Sequence, residues 1–529
     1  MQRNQGSLKR SARYSLAAAT ICAASAAWSQ TPNLQSLKAE AVADVDAHAT
    51  LVGQIVDSVF SFGEPAYQEY ETGKYVGGIL KQHGFIVKTD IAGMPTGWVA
   101  TWSNGTGKPV ISLNNDEDDL LGLSQMPGVL KHEPIVAGAP GHGEGHNTGV
   151  GGMVVAAIVL EDVMKKHNIS GTIQVWPGIA EEVVGGKGYF AQAGVFKNVD
   201  AVLSTHVSSG LSTSYGRDQS TGMVSVIYSF NGKTAHAGGE PWLAHSALAA
   251  AEMFDTGIQY QRQFFKPGSR THDVILNGGL EPNVVPDHTT VWYYFRANDP
   301  DVIHENYATG TRVAKDAADM FQTTTTNRLI GAAYPGFDNK PLAEDMQKNM
   351  EAVGMPKWSQ ADITYAKNVQ TWLHFPVVGL ATAVSPISPP ATDPHGGFSD
   401  DIGDVMWRVP TLRLMYPSNI PGVPFHTWEA ALAEATPIAH KGAVVDAKVL
   451  AMTALDLYLE PKLLEEAKNY FLTVQKAPET FHPFLTPEDK PDIHMYDAVM
   501  KEYRPLMAKF YYNPKKYKSY LDQLGVKYP

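Results

Sequence analysis

The chain has 529 residues, a formal charge of -12 and a single cysteine, with 18% charged and 44% hydrophobic residues. An acidic balance of this size argues against nucleic acid or an anionic lipid surface as the partner. The length exceeds a usual single core, so about two domains and an appendage are expected.

Lys9, Arg10 and Arg13 form a basic n-region ahead of the apolar run "SLAAATICAASAAW", and Ala27 and Ser29 offer small residues for cleavage. Residues 1–29 therefore read as a secretory signal peptide, too short for a stable membrane span, and predict a periplasmic or secreted protein. Removing four basic and no acidic residues takes the formal charge from -12 to -16. Cys22 leaves with that segment, so neither a disulfide nor a thiolate metal ligand is expected in the mature chain. No later segment reads as a membrane helix.

From Leu34 to Gly84 the apolar spacing is helical, and "FIVKTD", "GWVATW" and "PVISLNN" follow as strands. The loop "GHGEGHNTGVGG" leads into the helix "GVGGMVVAAIVLEDVMKKHN"; "GTIQVWPG" and "AVLSTHV" are strands separated by the helix "GGKGYFAQAGVF". Strands alternating with helices predict an α/β sheet covered on both faces, with functional groups gathered after the carboxyl ends of strands. "NNDEDD", "AEE" and "STH" all occupy that position.

Composition changes near Thr221. "MVSVIYSFNG", a helix through "PWLAHSALAAAEMFDTGIQYQRQF", "THDVILNGG", "TTVWYYFRA", a helix through "DVIHENYATGTRVAKDAADMFQ" and "TTTTNRLIGAAY" make a β-α-β-β-α-β unit. The expected division is a first catalytic part at 34–221, an inserted domain at 222–340, a second catalytic part at 341–475 and a helical appendage at 476–529.

Glu144, His146, Glu182, His206 and His426 together supply three imidazoles and two carboxylates, the inventory of a pair of divalent zinc or manganese ions. Glu144 and His146 share one loop; Glu182 and His206 follow strands; His426, in "PFHTWE", has to fold back from far along the chain. Glu181 and Glu182 cannot point the same way, so one can ligate while the other stands free to move a proton. Each residue also has a plainer reading: adjacent glutamates as solvated surface, His206 as a packed histidine, "NNDEDD" as a solvated run. His142 reads as a loop or supporting group, and Asp118 sits where it could orient a ligand histidine.

The segments "NDEDDLLGLSQ", "GHGEGHNTG", "GIAEEVVGGKGYFAQAGVF", "STHVSSG", "FNGKTAHAGGEPWLAHSALAAAEM", "NGGLEPNVVPDHTTVWYYFRA", "SDDIGDVMWRVPT" and "FHTWEA" carry a resemblance. Over about residues 40 to 460 the chain resembles the metallopeptidases and amidohydrolases that include carboxypeptidase G, aminoacylases and p-aminobenzoyl-glutamate hydrolases, with the nearest likeness to the last of these. The resemblance implies a mixed-sheet α/β zinc-peptidase-like catalytic domain with an inserted ferredoxin-like lid and dimerisation domain. It implies two divalent metal ions held by Glu144, His146, Glu182, His206 and His426, with Glu181 as catalytic base. Glu144 departs from the cysteine usual in that branch, and a carboxylate there favours a harder ion such as manganese. His236 matches a histidine that stabilises the oxyanion, often in the partner subunit's site. Asn283 and Arg296 match substrate-facing positions, with Arg296 able to hold a carboxylate. Asp118 matches a shared aspartate, and Asp401 and Asp404 match supporting or helix-capping positions. The implied activity is hydrolysis of N-acyl or aryl-acyl amino acids, or small dipeptide-like amides, by a homodimer or larger homo-oligomer. The rival readings are an exported metal-bearing protein that binds a small ligand without turnover, and a hydrolase of an ester or lactam.

Overall fold

The computed structural model describes residues 33–217, 220–392 and 397–529; the expected leader lies outside them. Three helices, Leu34–Ala47, Ala49–Phe62 and Tyr70–Gln82, occupy the stretch with helical spacing. Strands β1 (Ile86–Thr89), β2 (Trp98–Asn104), β3 (Val110–Asp116), β4 (Gly171–Gly178), β5 (Ala201–Ser208), β6 (Ser212–Thr213) and β7 (Gly216–Arg217) follow. Then come β8 (Gly222–Asn231), β9 (Arg270–Asn277), β10 (His288–Ala297), β11 (Thr324–Ala333), β12 (Phe337–Asp338) and β13 (Thr411–Pro417).

The larger sheet has seven strands in the order β1-β2-β4-β3-β5-β13-β6. The β4-β3, β3-β5 and β5-β13 pairings are parallel, and the outer ones antiparallel, so the sheet is mixed. The central strands β3, β4, β5 and β13 are buried nearly throughout, polar residues included, because both faces of the sheet are covered. On one face Val56, Val154, Leu203 and Leu450 share a core; on the other lie Trp176, Phe190, Phe196 and Val202. The helix His146–Lys166 is long and apolar enough to cross a membrane, which corrects the sequence expectation that no such segment exists. Its apolar window is 94% buried, so its hydropathy belongs to a core helix.

Between β8 and β11 the chain leaves this sheet and forms a four-stranded antiparallel one, order β11-β8-β10-β9. The helices Ala247–Gln261 and Pro300–Met320 cover it through Phe254, Ile258, Tyr293 and Phe295. Along β10, Val291, Tyr293 and Phe295 are buried in that core, while Trp292, Tyr294 and Arg296 alternate onto the other face. Tyr294 packs there against Val184 of the larger domain.

The chain after Lys476 is only partly helical, with Asp497–Met507 and Tyr520–Leu524 as its two helices. Pro478, Pro483, Pro487 and Pro491 deny the first half a helix. That half bridges the two sheets. Phe481 and Phe484 pack on Tyr334, with ring centroids 4.8 and 5.5 Å away, and Phe484 lies 4.5 Å from His304. Asp492 accepts an ion pair at 2.8 Å from Arg328 of β11, and Glu479 pairs with Arg217. The second half lies along the first helices, where Arg504 pairs with buried Glu64 and the Tyr520 N–H donates to Asp57 Oδ2 at 2.8 Å.

Candidate metal centre

The carboxyl ends of β3, β4 and β5 lie side by side, and the turn after β4 carries Glu181 and Glu182. Ala180 and Val184 bracket that turn with φ of 55° and 49°, a conformation unusual for alanine and costly for a β-branched residue. Three buried carboxylates hold it. Glu69 accepts from the Ala180 N–H at 3.0 Å. The two oxygens of Asp118 accept from Glu181 N–H and Glu182 N–H, each at 3.1 Å. Asp401 accepts from Gly186 N–H and Lys187 N–H at 3.0 and 2.8 Å. Gly331 of β11 has no room for a side chain, because a Cβ there would stand 2.1 Å from the Val184 carbonyl oxygen.

His146 opens its helix, and its Nδ1–H donates to the Asp118 carbonyl at 2.9 Å. His206 likewise donates Nδ1–H to the Val207 carbonyl at 3.0 Å. Both rings therefore present an Nε2 lone pair inward, and the buried Nε2 of His146 has no hydrogen-bond partner. The two oxygens of Glu144 face different imidazoles: Oε1 is 3.3 Å from His206 Nε2, and Oε2 is 2.9 Å from His426 Nε2. His426 Nε2 is also 3.4 Å from Glu182 Oε2, and Glu181 Oε2 is 3.9 Å from His146 Nε2. Donor atoms of Glu144, His146 and Glu182 lie within 4.8 Å of one another, as do those of Asp116, His146 and His206. All five expected donors converge, His426 included.

These groups fit divalent ions. Ligand atoms at the ends of bonds of about 2.0–2.1 Å in a tetrahedral site stand about 3.3–3.4 Å apart, the spacing of His206 from Glu144 and of His426 from Glu182. An orphaned buried imidazole nitrogen facing two carboxylates is costly without a cation between them. His426 reaches the cluster from a backbone with φ of 59°, held by its N–H donating to the Gly143 carbonyl at 2.7 Å.

Burial raises the Glu144 carboxyl, but the imidazoles of His206 and His426 outweigh it and bring the group down to about 2. Glu181 is held well above the usual carboxyl range by burial and then by the Asp400 charge. Glu182 is raised by burial and by Glu144. Behind the turn, the fully buried Lys187 ammonium lies 2.6 Å from Asp116, 2.8 Å from Asp400 and 2.8 Å from Asp401. Burial works against its charge, but those three carboxylates keep it well above the ordinary lysine range. Arg413 adds an ion pair to Asp400 at 2.8 Å.

Other expected residues are placed differently. His142 packs against Phe60, with ring centroids 5.9 Å apart, and its Nε2 lies 3.3 Å from the Val59 carbonyl. Burial first, then His146, push its pKa down to about 3, which marks a neutral core histidine. Asp404 accepts from the Tyr334 N–H at 3.0 Å and so ties the end of β11 to the second half of the catalytic domain. Arg296 projects from β10 and donates Nε–H to Ser399 Oγ at 3.1 Å. His236 and Asn283 lie together at the outer end of the four-stranded unit, both exposed, with the Ala237 N–H donating to the Asn283 carbonyl at 2.9 Å. His236 Nδ1 accepts from the Gly238 and Gly239 N–H groups, and no contact among the described residues joins it to the Glu144 cluster.

The sequence reading missed Glu69, Asp116, Lys187, Asp400 and Arg413. The run "NNDEDD" is entirely buried, from Asn114 at 0% exposure to Asp119 at 3%, and is not a solvated stretch. A lysine beside "GYF" and two adjacent aspartates in "SDD" were the available signal: buried charges of both signs have to find one another.

The model of Peptidase family M20/M25/M40 matches residues 129–387. One of the p-aminobenzoyl-glutamate hydrolase chains of Escherichia coli (strain K12) is 30% identical over 452 residues, which covers 80% of this chain and 92% of that protein. The Xaa-Arg dipeptidase of Mus musculus is 27% identical over 459 residues, covering 84% and 94%. The crystal structure of an aminobenzoyl-glutamate utilization protein from Klebsiella pneumoniae matches with a TM-score of 0.54 at 18% identity, over 78% of this chain and 97% of that one, which is a likeness of fold. At this identity and coverage the chain belongs to the M20/M25/M40 peptidase family and is a hydrolase.

Proposed function

We propose that the protein hydrolyses the amide bond of N-acyl or aryl-acyl amino acids, or of small dipeptide-like conjugates, at two divalent ions held by Glu144, His146, Glu182, His206 and His426. The observation that carries this reading is the split of Glu144 between two imidazoles, one on each carboxylate oxygen, with Glu182 across from the second. The hydrolases and dipeptidases to which the chain is similar support the bond type. A donor set of carboxylates and imidazoles suits manganese or zinc.

When bound, the ions supply Lewis acidity, which polarises an amide carbonyl and makes water acidic near neutral pH. Glu181, in the turn beside Glu182, would take a proton from the attacking water and return it to the departing amine. Asp118 holds the Glu181–Glu182 turn by its backbone, so base and ligand keep fixed positions. Arg296 orients a substrate carboxylate. We read the inserted β-α-β-β-α-β unit as a ferredoxin-like lid, and its exposed edge strand β9 as the surface through which two copies pair. His236 then enters the partner copy's site to hold the oxyanion. Residues 1–29 act as a leader, placing the enzyme in the periplasm or outside the cell.

The test is hydrolysis of a panel of N-acetyl and N-benzoyl amino acids by protein reconstituted with manganese or zinc. Glu181→Gln is expected to lower kcat by about 10²–10⁴-fold with metal content unchanged. Metal loss in that variant would exchange the roles of Glu181 and Glu182. Turnover of no amide, with tight retention of a small ligand, would favour the binding-protein reading.

A further inference from the structure

At the rim of the Glu144 cluster an aromatic side chain stands half in water. Phe398 is 48% exposed, and its ring lies 6.4 Å from the His206 imidazole at an interplanar angle of 26°. An aromatic ring therefore borders the cluster on the His206 side.

That ring is anchored. The guanidinium of Arg413, itself buried, lies 4.9 Å from its centroid, a cation held against the aromatic face. The Phe398 carbonyl accepts from the Thr221 N–H at 2.8 Å. The next residue, Ser399, shares a hydrogen bond of 2.8 Å with Thr221 Oγ1 and accepts from Arg296 at 3.1 Å. Asp400 follows, fixed between Lys187 and Arg413 at 2.8 Å each. A phenylalanine held so firmly, yet left half in water, forgoes about 25 cal/mol for each Å² of its apolar surface that stays wet. A planar apolar group brought alongside it recovers that energy, and aromatic pairs favour offset or edge contacts at about 4.5–7 Å.

Resting on the amide-hydrolase reading above, we propose that Phe398 is the specificity-determining residue for the acyl half of the substrate, packing against an aromatic ring whose carbonyl carbon lies toward His206 and Glu144. The ligand class is an aromatic carboxylic acid or its amide, in preference to a short aliphatic one. Arg296 bonds the adjacent Ser399 at 3.1 Å, so a substrate whose ring lies on Phe398 would present its amino-acid carboxylate to that guanidinium.

The experiment separates this proposal from the reading on which it rests, because it needs no turnover. Benzoate and acetate are titrated calorimetrically into the manganese-loaded full-length protein, its Phe398→Ala variant and its Phe398→Tyr variant. Loss of the aromatic wall is expected to weaken benzoate by about tenfold or more in the alanine variant, with acetate affinity unmoved and the tyrosine variant close to wild type. Equal benzoate affinity in wild type and Phe398→Ala overturns the proposal. So does a parallel loss of benzoate and acetate, which indicates a general disturbance of the site. Failure to cleave any N-acyl amino acid, with the benzoate preference intact and dependent on Phe398, would overturn the amide reading alone.

Discussion

Asp118 commits both carboxylate oxygens to the backbone of the Glu181–Glu182 turn and its carbonyl to His146 Nδ1–H. It therefore fixes the orientation of His146 and of the Glu181–Glu182 turn. Asp118→Asn keeps the size but sets an amide N–H₂ against one backbone donor. Metal affinity and kcat are expected to fall by about 10- to 100-fold, read by chelator competition and steady-state kinetics; unchanged values in both would remove this role. A second residue-scale prediction concerns pH. Burial lowers His440, but Asp57, whose Oδ1 lies 2.7 Å from His440 Nε2, outweighs it and raises the imidazole above its ordinary 6.5. The folded chain then binds that proton more tightly than the unfolded one. The stabilisation is complete below about pH 6.5 and is lost as pH rises through the folded value. His440→Gln should show a larger Tm deficit near pH 5.5 than near pH 9, and a deficit independent of pH would contradict the assignment. At this scale the five donors were legible only together: each alone has a plainer reading, and it was their joint placement after strands that set them apart. Lys187, Asp116 and Asp400 were not, because local spacing does not reveal that the segments meet in the interior.

The elements themselves were read from periodicity. Buried parallel strands such as "AVLSTHV" start as short apolar runs, and the helices between them repeat every three or four residues. The tail was legible as a separate piece but not as a bridge, since the contacts of Phe484 and Asp492 join segments distant in sequence. The expectation of a helical appendage also overlooked the prolines at 478, 483, 487 and 491. Two outcomes follow at this scale. Gly331→Ala places a Cβ against the Val184 carbonyl, so β11 or the catalytic turn has to shift. A stability loss of about 1–3 kcal/mol and weaker metal retention are expected in calorimetry and elemental analysis, whereas wild-type values for both would show that the turn does not depend on β11. Arg328→Glu should lower Tm by setting like charges together, and adding Asp492→Arg should restore part of the loss. Strict additivity in that double-mutant cycle would mean that the 2.8 Å pair contributes no coupling.

For the whole molecule, one chain gathers the five proposed ligands but leaves His236 and Asn283 exposed at the far end of the inserted unit. Nearby on β9, Val274, Ile275 and Leu276 are each about half exposed, and Leu280 is fully so. An edge strand with that apolar character suits pairing with a second copy. Mixing His236→Ala with Glu181→Gln under exchange conditions would then create dimers with one intact composite site. Activity is expected to return to about a quarter of wild type, and none returns if each chain works alone. The expectations for catalysis depend on the ions themselves. The most direct measurement is the metal-to-protein ratio of manganese-reconstituted, gel-filtered protein, alongside His426→Ala. The account expects about two ions per wild-type chain and fewer in the variant; a wild-type chain that retains no ion, or a variant with an unaltered ratio, would contradict it.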